Sequence, residues 1–171
     1  MMRIFLVSLS LILFVFSTLK ANEKIVFVDI DKIIYESNLG KKISKKMNSK
    51  YKAEEKRLVD IEKKLQEKEN DIAKQKNVLS KEELNKKIGV LRNEINEFKK
   101  ERFQVNEKFK KERILNVNKM VESLNEILAK YSSEKSISMI IQRKNIVIGK
   151  TDLDITDEVM KIFNKEVKSL K

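Results

Sequence analysis

Asp29 and Asp31 are the nearest approach in this sequence to a catalytic carboxylate pair, the arrangement that general acid–base catalysis uses. They lie where an apolar strand-like segment gives way to a predicted helix that begins near Lys32. Aspartates at such a position accept hydrogen bonds from the free backbone N–H groups of the first helical turn. We therefore favour helix capping over catalysis for both residues.

A second acidic cluster lies near the carboxyl end and imitates the start of a calcium-binding EF-hand loop. Asp152, Asp154 and Thr156 have the alternating spacing of the first three ligand positions. That loop then needs a Gly and a final Glu, but this chain has Asp157 and Phe163 at those two positions. No metal site is predicted, and capping of a final helix is the favoured role of these side chains.

Composition removes most other catalytic chemistry. The 171 residues include no Cys, no His, no Pro and no Trp, so thiol nucleophiles, histidine bases, disulfides and Cys/His zinc sites are all excluded. Charged residues make up 37% of the chain and only three residues are Gly, which favours long solvated helices over a loop-rich enzyme. We predict a protein that is not an enzyme and that needs no cofactor.

The amino-terminal residues 1–21 resemble a secretory signal peptide. Arg3 supplies a positive charge and Ile4 to Phe16 is an apolar run, too short for a spanning helix of about 20 residues. An uncleaved anchor is the weaker alternative. We predict cleavage after Ala21, export, and a periplasmic location if the host has two membranes, which makes nucleic acid an improbable partner despite the formal net charge of +12.

The centre of the chain, residues 39–132, has the periodicity of two long helices. Apolar residues recur at three- and four-residue intervals from Leu39 to Leu79 and again from Leu84 to Phe109. Ser80 and Glu83 between them have the spacing of a capping box. The sequence predicts helices over about 40–77 and 81–132, joined as an antiparallel coiled-coil hairpin.

The seam of this hairpin is imperfect, and its register changes along the second helix. Polar residues occupy four seam positions: Glu54, Lys68, Gln75 and Arg102. From Ile114 to Tyr131 the apolar series is out of phase with the preceding one, which predicts a new packing partner beyond Phe103. Apolar residues off the seam must face water, another subunit or a client: Val59, Val90 and Phe103.

The two ends of the exported chain, residues 22–38 and 133–171, are predicted to form a small β-containing body. Residues 24–30, 137–142 and 145–149 are short, apolar and β-branched, as strands are, with a hairpin link between the last two. Thr156 is predicted to cap a final helix that runs to about Ser169. Three short strands bury little surface, so association between chains is expected to stabilise the body.

On these features the chain resembles the Skp/OmpH family of periplasmic chaperones. The resemblance rests on residues 24–29 (KIVFVD), on the Gly40-Lys41 entry to the first long helix, and on residues 153–159 (LDITDEV), similar to the family's Leu-Asp-Ile-Thr ending. It covers essentially all of the exported chain. One departure is the turn at residues 149–152 (GKTD), where the family often has an Asp-Pro-type turn.

The resemblance implies a mostly α-helical fold in which a long hairpin is inserted between strands of a small oligomeric β-barrel. It implies a homotrimer whose arms surround a cavity, acting as an ATP-independent holdase for unfolded outer-membrane β-barrel proteins. Candidate client contacts are Val59, Val90 and Phe103. Candidate oligomerisation residues lie in the predicted strands: Ile25, Phe27, Ile140, Ile146 and Ile148.

Other interpretations remain open at the level of sequence. Basic residues on the second long helix, Lys86, Lys87, Lys99, Lys100 and Arg102, could contact anionic lipid or lipopolysaccharide, although charged runs on long helices are more often a solvated face. The main rival to a chaperone is an exported coiled-coil adaptor that binds one folded partner. A nucleic-acid-binding coiled coil lacks stacking aromatics or a groove-reading motif.

Overall fold

A computed structural model describes residues 23–170, so the predicted signal peptide lies outside the described residues. The described chain is mostly helical and carries one two-stranded sheet, which agrees with the predicted mostly α-helical fold with a small β-containing body. The elements in chain order are β1 (Ile25–Val28), α1 (Ile30–Glu36), α2 (Asn38–Gln75), α3 (Lys81–Glu134), β2 (Met139–Gln142) and α4 (Thr156–Glu166).

The sheet joins the two ends of the chain. Strands β1 and β2 are parallel and in register from Ile25 opposite Met139 to Val28 opposite Gln142. Parallel neighbours need a long crossover connection, and here helices α1, α2 and α3 supply it. The prediction of a helical hairpin inserted between strands is confirmed.

The prediction of a strand at residues 145–149 is wrong. Arg143–Asn145 forms a 3₁₀ turn instead of a hairpin link, and no strand follows it before a second 3₁₀ turn at Thr151–Leu153. The Arg143 guanidinium binds the Asp154 carboxylate at 2.6 Å, and a β-carbon on Gly149 would stand 2.8 Å from the Phe27 ring. Because of these two contacts, residues 143–154 pass across β1 and do not pair with the free edge of β2.

Helices α2 and α3 form the predicted antiparallel hairpin, which we call the arm. Their bounds differ from the predicted ones by at most two residues at each end. The capping box between them is present, since the Ser80 side chain accepts from the Glu83 N–H and the Glu83 carboxylate accepts from the Ser80 N–H at 3.1 Å. Ion pairs Lys50–Glu112 and Lys68–Glu94 fix the antiparallel register along the arm.

The core lies at the end of the arm next to the sheet, which we call the root of the arm. Here α1, α4 and the carboxyl-terminal part of α3 pack together with the sheet. Its fully buried apolar residues include Ile33, Leu124, Val159 and Phe163. The predicted change of packing partner along α3 is confirmed by this arrangement. Met120 and Ile127 are also buried, although the apolar series assigned from sequence omitted them. Ile114, which that series included, is exposed.

Helix α4 begins differently from the prediction. Thr156 is its first residue and does not cap it; the N-cap position is Ile155, which supplies no side-chain hydrogen bond. The Thr156 hydroxyl instead accepts from the Asp29 N–H at 2.8 Å, so it links α4 to the end of β1. The helix ends at Glu166, before the predicted Ser169.

Long as the two arm helices are, their surfaces are highly charged. Among residues 23–170 no helix combines the length and the apolar character needed to cross a membrane.

Candidate functional site

The LDIT segment, residues 153–156, and the adjacent Asp157 connect the carboxyl-terminal helix to the amino-terminal part of the chain. The Ile155 N–H donates to the Phe27 carbonyl at 2.9 Å, and Lys32 on α1 forms an ion pair with Asp157 at 2.9 Å. The same ion pair raises the pKa of Lys32 and lowers the pKa of Asp157, chiefly through the hydrogen bond between them. The amino-terminal strand and helix are thus held against α4.

Two of the acidic residues with apparent catalytic or calcium-binding spacing, Asp29 and Asp154, make structural contacts. Asp29 is the N-cap of α1 and its carboxylate accepts from the Lys32 N–H at 2.9 Å, which confirms capping, while Asp31 is exposed in the first turn. Asp154 accepts from the Thr156 N–H at 3.0 Å and from Arg143. Within the described residues no group of three or more potential His, Cys, Asp or Glu ligands is close enough to hold a metal ion.

The five candidate oligomerisation residues divide between core and surface. Phe27 is buried, and Ile140 and Ile146 are half-buried. Ile25 is exposed, and Ile148 is 91% exposed next to Val147 at 98%. Met139, which lies opposite Ile25 in the sheet, is also exposed. The body therefore carries an apolar surface that a single chain does not cover.

Phe27 is held in place by the loop that presents Ile148. The Arg143 guanidinium lies over the Phe27 ring, 5.8 Å from its centroid, while Gly149 approaches a ring edge so closely that a β-carbon would not fit. Since Arg143 is also paired with Asp154, the loop is anchored at both ends. The exposed pair Val147 and Ile148 thus projects from a fixed segment.

Two of the four polar seam residues, Lys68 and Gln75, have partners on the opposite helix of the arm. Lys68 contacts both carboxylate oxygens of Glu94 at 2.7 Å, and Gln75 accepts from Lys87 at 2.6 Å. A third polar contact joins Arg57 to Glu54 at 2.8 Å on its own helix and to Glu101 at 2.7 Å on the other. These side chains replace apolar contacts with exposed ion pairs, which stabilise a helix pair only weakly.

All three candidate client-contact residues are on the surface of the arm. Val59 is 54% exposed, Val90 53% and Phe103 66%. Sequence reasoning missed Leu115, which is exposed to a similar extent, because it stands outside every apolar series. Its position outside both apolar series of α3 could have identified it as an exposed apolar residue. The arm thus carries isolated apolar side chains along much of its length.

A family model described as "Outer membrane protein (OmpH-like)" matches residues 24–163, which is most of the chain. The chain belongs to the OmpH-like family. The matched range includes the body from β1 onward, the whole arm, and α4 as far as the buried Phe163.

One solved structure extends this OmpH-like assignment to the three-dimensional fold. It is a candidate outer membrane chaperone (OmpH-like) from Caulobacter crescentus CB15, with a TM-score of 0.79 and 14% sequence identity. The match covers 88% of this chain and 89% of that one, so the two proteins share a fold over most of their length. No curated protein matches the sequence.

The basic candidates of this OmpH-like chain do not form one patch. Lys86 and Lys87 lie near the tip of the arm, and Lys87 donates to Gln75. Lys99 and Lys100 are exposed about 20 Å further along α3, at 1.5 Å per residue. Arg102 lies over the Phe98 ring, 5.9 Å from its centroid. These five cations are spread along the helix instead of converging on a single anion.

Proposed function

We propose that this OmpH-like protein is an ATP-independent holdase that binds unfolded outer-membrane β-barrel proteins and prevents their aggregation. The observation that carries this proposal is the arm, two helices thick, with Val59, Val90 and Phe103 about half exposed or more. Family membership supports a chaperone role in general. It gives no support to an enzymatic activity, and the proposed mechanism needs no cofactor.

The surface chemistry of the arm suits a client that must be bound by weak, reversible contacts. Scattered apolar side chains provide many weak contacts, whose combined effect is a useful affinity. The high positive charge attracts acidic clients over distance and raises their rate of association. Interrupted packing at the seam, where Lys68 stands in place of an apolar residue and pairs with Glu94, leaves the arm able to bend around clients of different size.

We propose further that the working unit is a homotrimer with the arms surrounding a cavity. Two parallel strands make a small sheet with a free edge at β2, and parallel sheets are normally covered on both faces. Two exposed apolar pairs, Ile25 with Met139 on the sheet and Val147 with Ile148 on the loop, support coverage by other copies of the chain. The two pairs are different surfaces, and contacts between unlike surfaces generate a closed ring when the rotation between copies closes.

The proposed location is the periplasm. Residues 4–16 provide the apolar segment of an export signal, and the absence of cysteine means that the fold does not depend on disulfide formation there. Exported protein recovered in the periplasmic fraction, beginning near Asn22, would support this location. Recovery in the cytosol would overturn it.

The test of the proposed function is a light-scattering mass of the exported chain, residues 22–171, mixed with a urea-unfolded outer-membrane barrel protein that is diluted into buffer. The expected result is a soluble complex of three chains and one client, under conditions in which the client alone precipitates. If the client precipitates and the mass does not change, the holdase proposal fails and an adaptor for a folded partner becomes the better interpretation.

A further inference from the structure

The arm has two unlike faces on either side of its seam. One carries the ion pairs Lys50–Glu112, Arg57–Glu101 and Lys68–Glu94, which line two successive grooves between α2 and α3. We call the surface lined by these grooves the ion-paired face. Carboxylates line both grooves and offset part of their positive charge, although among the described residues the groove lysines Lys86 and Lys108 have no carboxylate partner.

The opposite side of the arm has a crevice at its root, and we call this side the open face. The crevice has a volume of about 230 Å³ and lies between α1, α2 and α3. Its polar rim includes Ser44, Asn48 and Arg113, and its floor is apolar: Ile34, Ile43, Met47, Val117 and Met120. A pocket of this size accommodates one large apolar side chain.

Helical geometry places the crevice opposite the ion pairs. At about 100° per residue, Asn48 on the crevice rim is about 200° around α2 from Lys50 on the ion-paired face. On α3, Val117 in the crevice is about 180° from Lys108 in the ion-paired groove. Both helices therefore contribute opposite sides to the two faces.

The same helical geometry shows which exposed apolar residues of the arm lie on the open face. Val59 is eleven residues beyond Asn48, within about 20° of it, and Phe103 and Ile114 share a face by the same spacing. Seven residues after Ile114 comes Val121, which packs against the core beside the crevice residue Val117. Val59, Phe103 and Ile114 thus belong to the open face.

Two other exposed apolar residues of the arm helices, Val90 and Leu115, belong to the other side. Val90 lines the groove that holds Lys68 and Glu94. Leu115 is seven residues beyond Lys108, within about 20° of it on the ion-paired face. The two faces can therefore be compared with residues of similar size and exposure.

Positive charge with no carboxylate among the lining residues distinguishes the open face from the ion-paired grooves. A depression next to the crevice shares Tyr35, Ser44 and Asn48 with it and adds three lysines: Lys41, Lys45 and Lys52. Within the part of the chain that the structure describes, none of these three lysines has a carboxylate partner. An acidic segment approaching here meets cations that no neighbouring carboxylate screens.

We propose that the open face is the surface that receives the client, an unfolded segment with both apolar and acidic side chains. The segment lies along Phe103 and Ile114, places one apolar side chain in the crevice, and sets its carboxylates against Lys41, Lys45 and Lys52. This assignment rests on the proposed function, since it names the surface that performs it. Two open faces of neighbouring copies repel each other through these lysines, which keeps the surface available.

The test is photo-crosslinking from single positions of the exported chain to a urea-unfolded, acidic outer-membrane barrel protein. A photoreactive residue replaces Phe103 or Ile114 on the open face and Leu115 as the matched control on the ion-paired face. The expected result is several-fold more client adduct from each of the first two positions than from Leu115. Equal yields, or more adduct from Leu115, would overturn the assignment, as would adducts from Phe103 and Ile114 that join two copies of this chain.

A second measurement uses charge without altering any apolar contact. The double variant Lys41→Gln with Lys45→Gln is compared with Lys86→Gln with Lys108→Gln, which removes the same charge from the ion-paired face. Client affinity is expected to fall several-fold in the first variant and to change little in the second.

Failure of the assignment can be separated from failure of the proposed function. If the unmodified protein prevents client aggregation but both double variants lose affinity equally, only the assignment of the open face fails. If the unmodified protein neither binds the client nor prevents its aggregation, the proposed function itself fails.

Discussion

Gly40 lies so close to Ile34 that a β-carbon on the glycine would stand 2.0 Å from the Ile34 carbonyl oxygen. This contact joins the end of α1 to the first turn of α2, where the arm leaves the body. Between them the fully buried Ser37 caps α2 by accepting from the Gly40 N–H at 3.1 Å. The direction of the arm is therefore set by backbone packing that only glycine permits.

Replacement of Gly40 by Ala is expected to lower the free energy of unfolding by about 2 to 3 kcal/mol, because the backbone on one side must move to make room. Urea unfolding followed by circular dichroism measures this change. Ser49→Ala, at an exposed position of the same helix, is the control and should have little effect. An unfolding midpoint for Gly40→Ala equal to that of the unmodified protein would contradict the packing argument.

The opposite result is expected at Gly89, in the middle of α3. A β-carbon there meets no atom within 4 Å, so Gly89→Ala should raise stability by up to about 1 kcal/mol through helix propensity alone. A stiffer arm should also adapt less well to clients of unlike size. We expect the variant to hold a narrower range of clients in the aggregation assay, and unchanged protection of both large and small clients would count against this.

The helices were predictable from sequence because each signal was local. Helical periodicity and the Ser80–Glu83 capping box need only nearby residues, and both predicted the arm to within two residues. The strand predicted at residues 145–149 is absent because the path of this segment is determined by residues outside it. Asp154 binds Arg143, and Phe27, more than 100 residues away in sequence, packs against Gly149. Local β-branched composition cannot report such contacts.

The site was predictable in part for the same reason. Val59, Val90 and Phe103 were identified as off-seam residues, and the structure places them on the surface. Their division between two faces could not be read from one helix, because it depends on how α2 and α3 are paired. Ile114 was wrongly assigned to the buried apolar series, because the core extends along α3 only from Val117 onward. Where the core begins on α3 depends on the packing of α1 and α4.

Ile148 offers a test of the proposed assembly. Ile148→Glu places a charge on the exposed apolar surface of the body without disturbing the core, since this side chain is 91% exposed. If other copies cover this surface, burial of the unpaired charge should dissociate the trimer, and the light-scattering mass should fall toward that of one chain. Val78→Glu, at a similarly exposed position in the arm-tip turn, is the matched control and should leave the mass unchanged.

The outcome for assembly is decided by comparison of the two variants. A trimer that survives Ile148→Glu at micromolar concentration would show that its interface lies elsewhere. Loss of mass in both variants would point to a general effect of added negative charge and would remove support for this surface.

Tyr131 couples the stability of the body to pH. Burial, together with the hydrogen bond that its hydroxyl donates to Glu158 and the charge of that carboxylate, raises the pKa of Tyr131 to about 12. In the unfolded chain the phenol titrates near pH 10, so the folded state holds this proton more tightly. The resulting stabilisation is complete below about pH 10 and is lost as the pH rises through about 12.

The expected size of this effect is about 2 to 3 kcal/mol, because a pKa of about 12 in place of about 10 corresponds to 1.36 kcal/mol for each tenfold change in proton affinity. Urea unfolding between about pH 9 and pH 12 should show a steeper loss of stability in the unmodified protein than in Tyr131→Phe. Glu158→Gln keeps the phenol buried, and burial is the largest cause, so this variant should retain most of the slope. Deprotonation of surface lysines is common to all three proteins and cancels in the comparison, so parallel curves for Tyr131→Phe and the unmodified protein would refute the coupling.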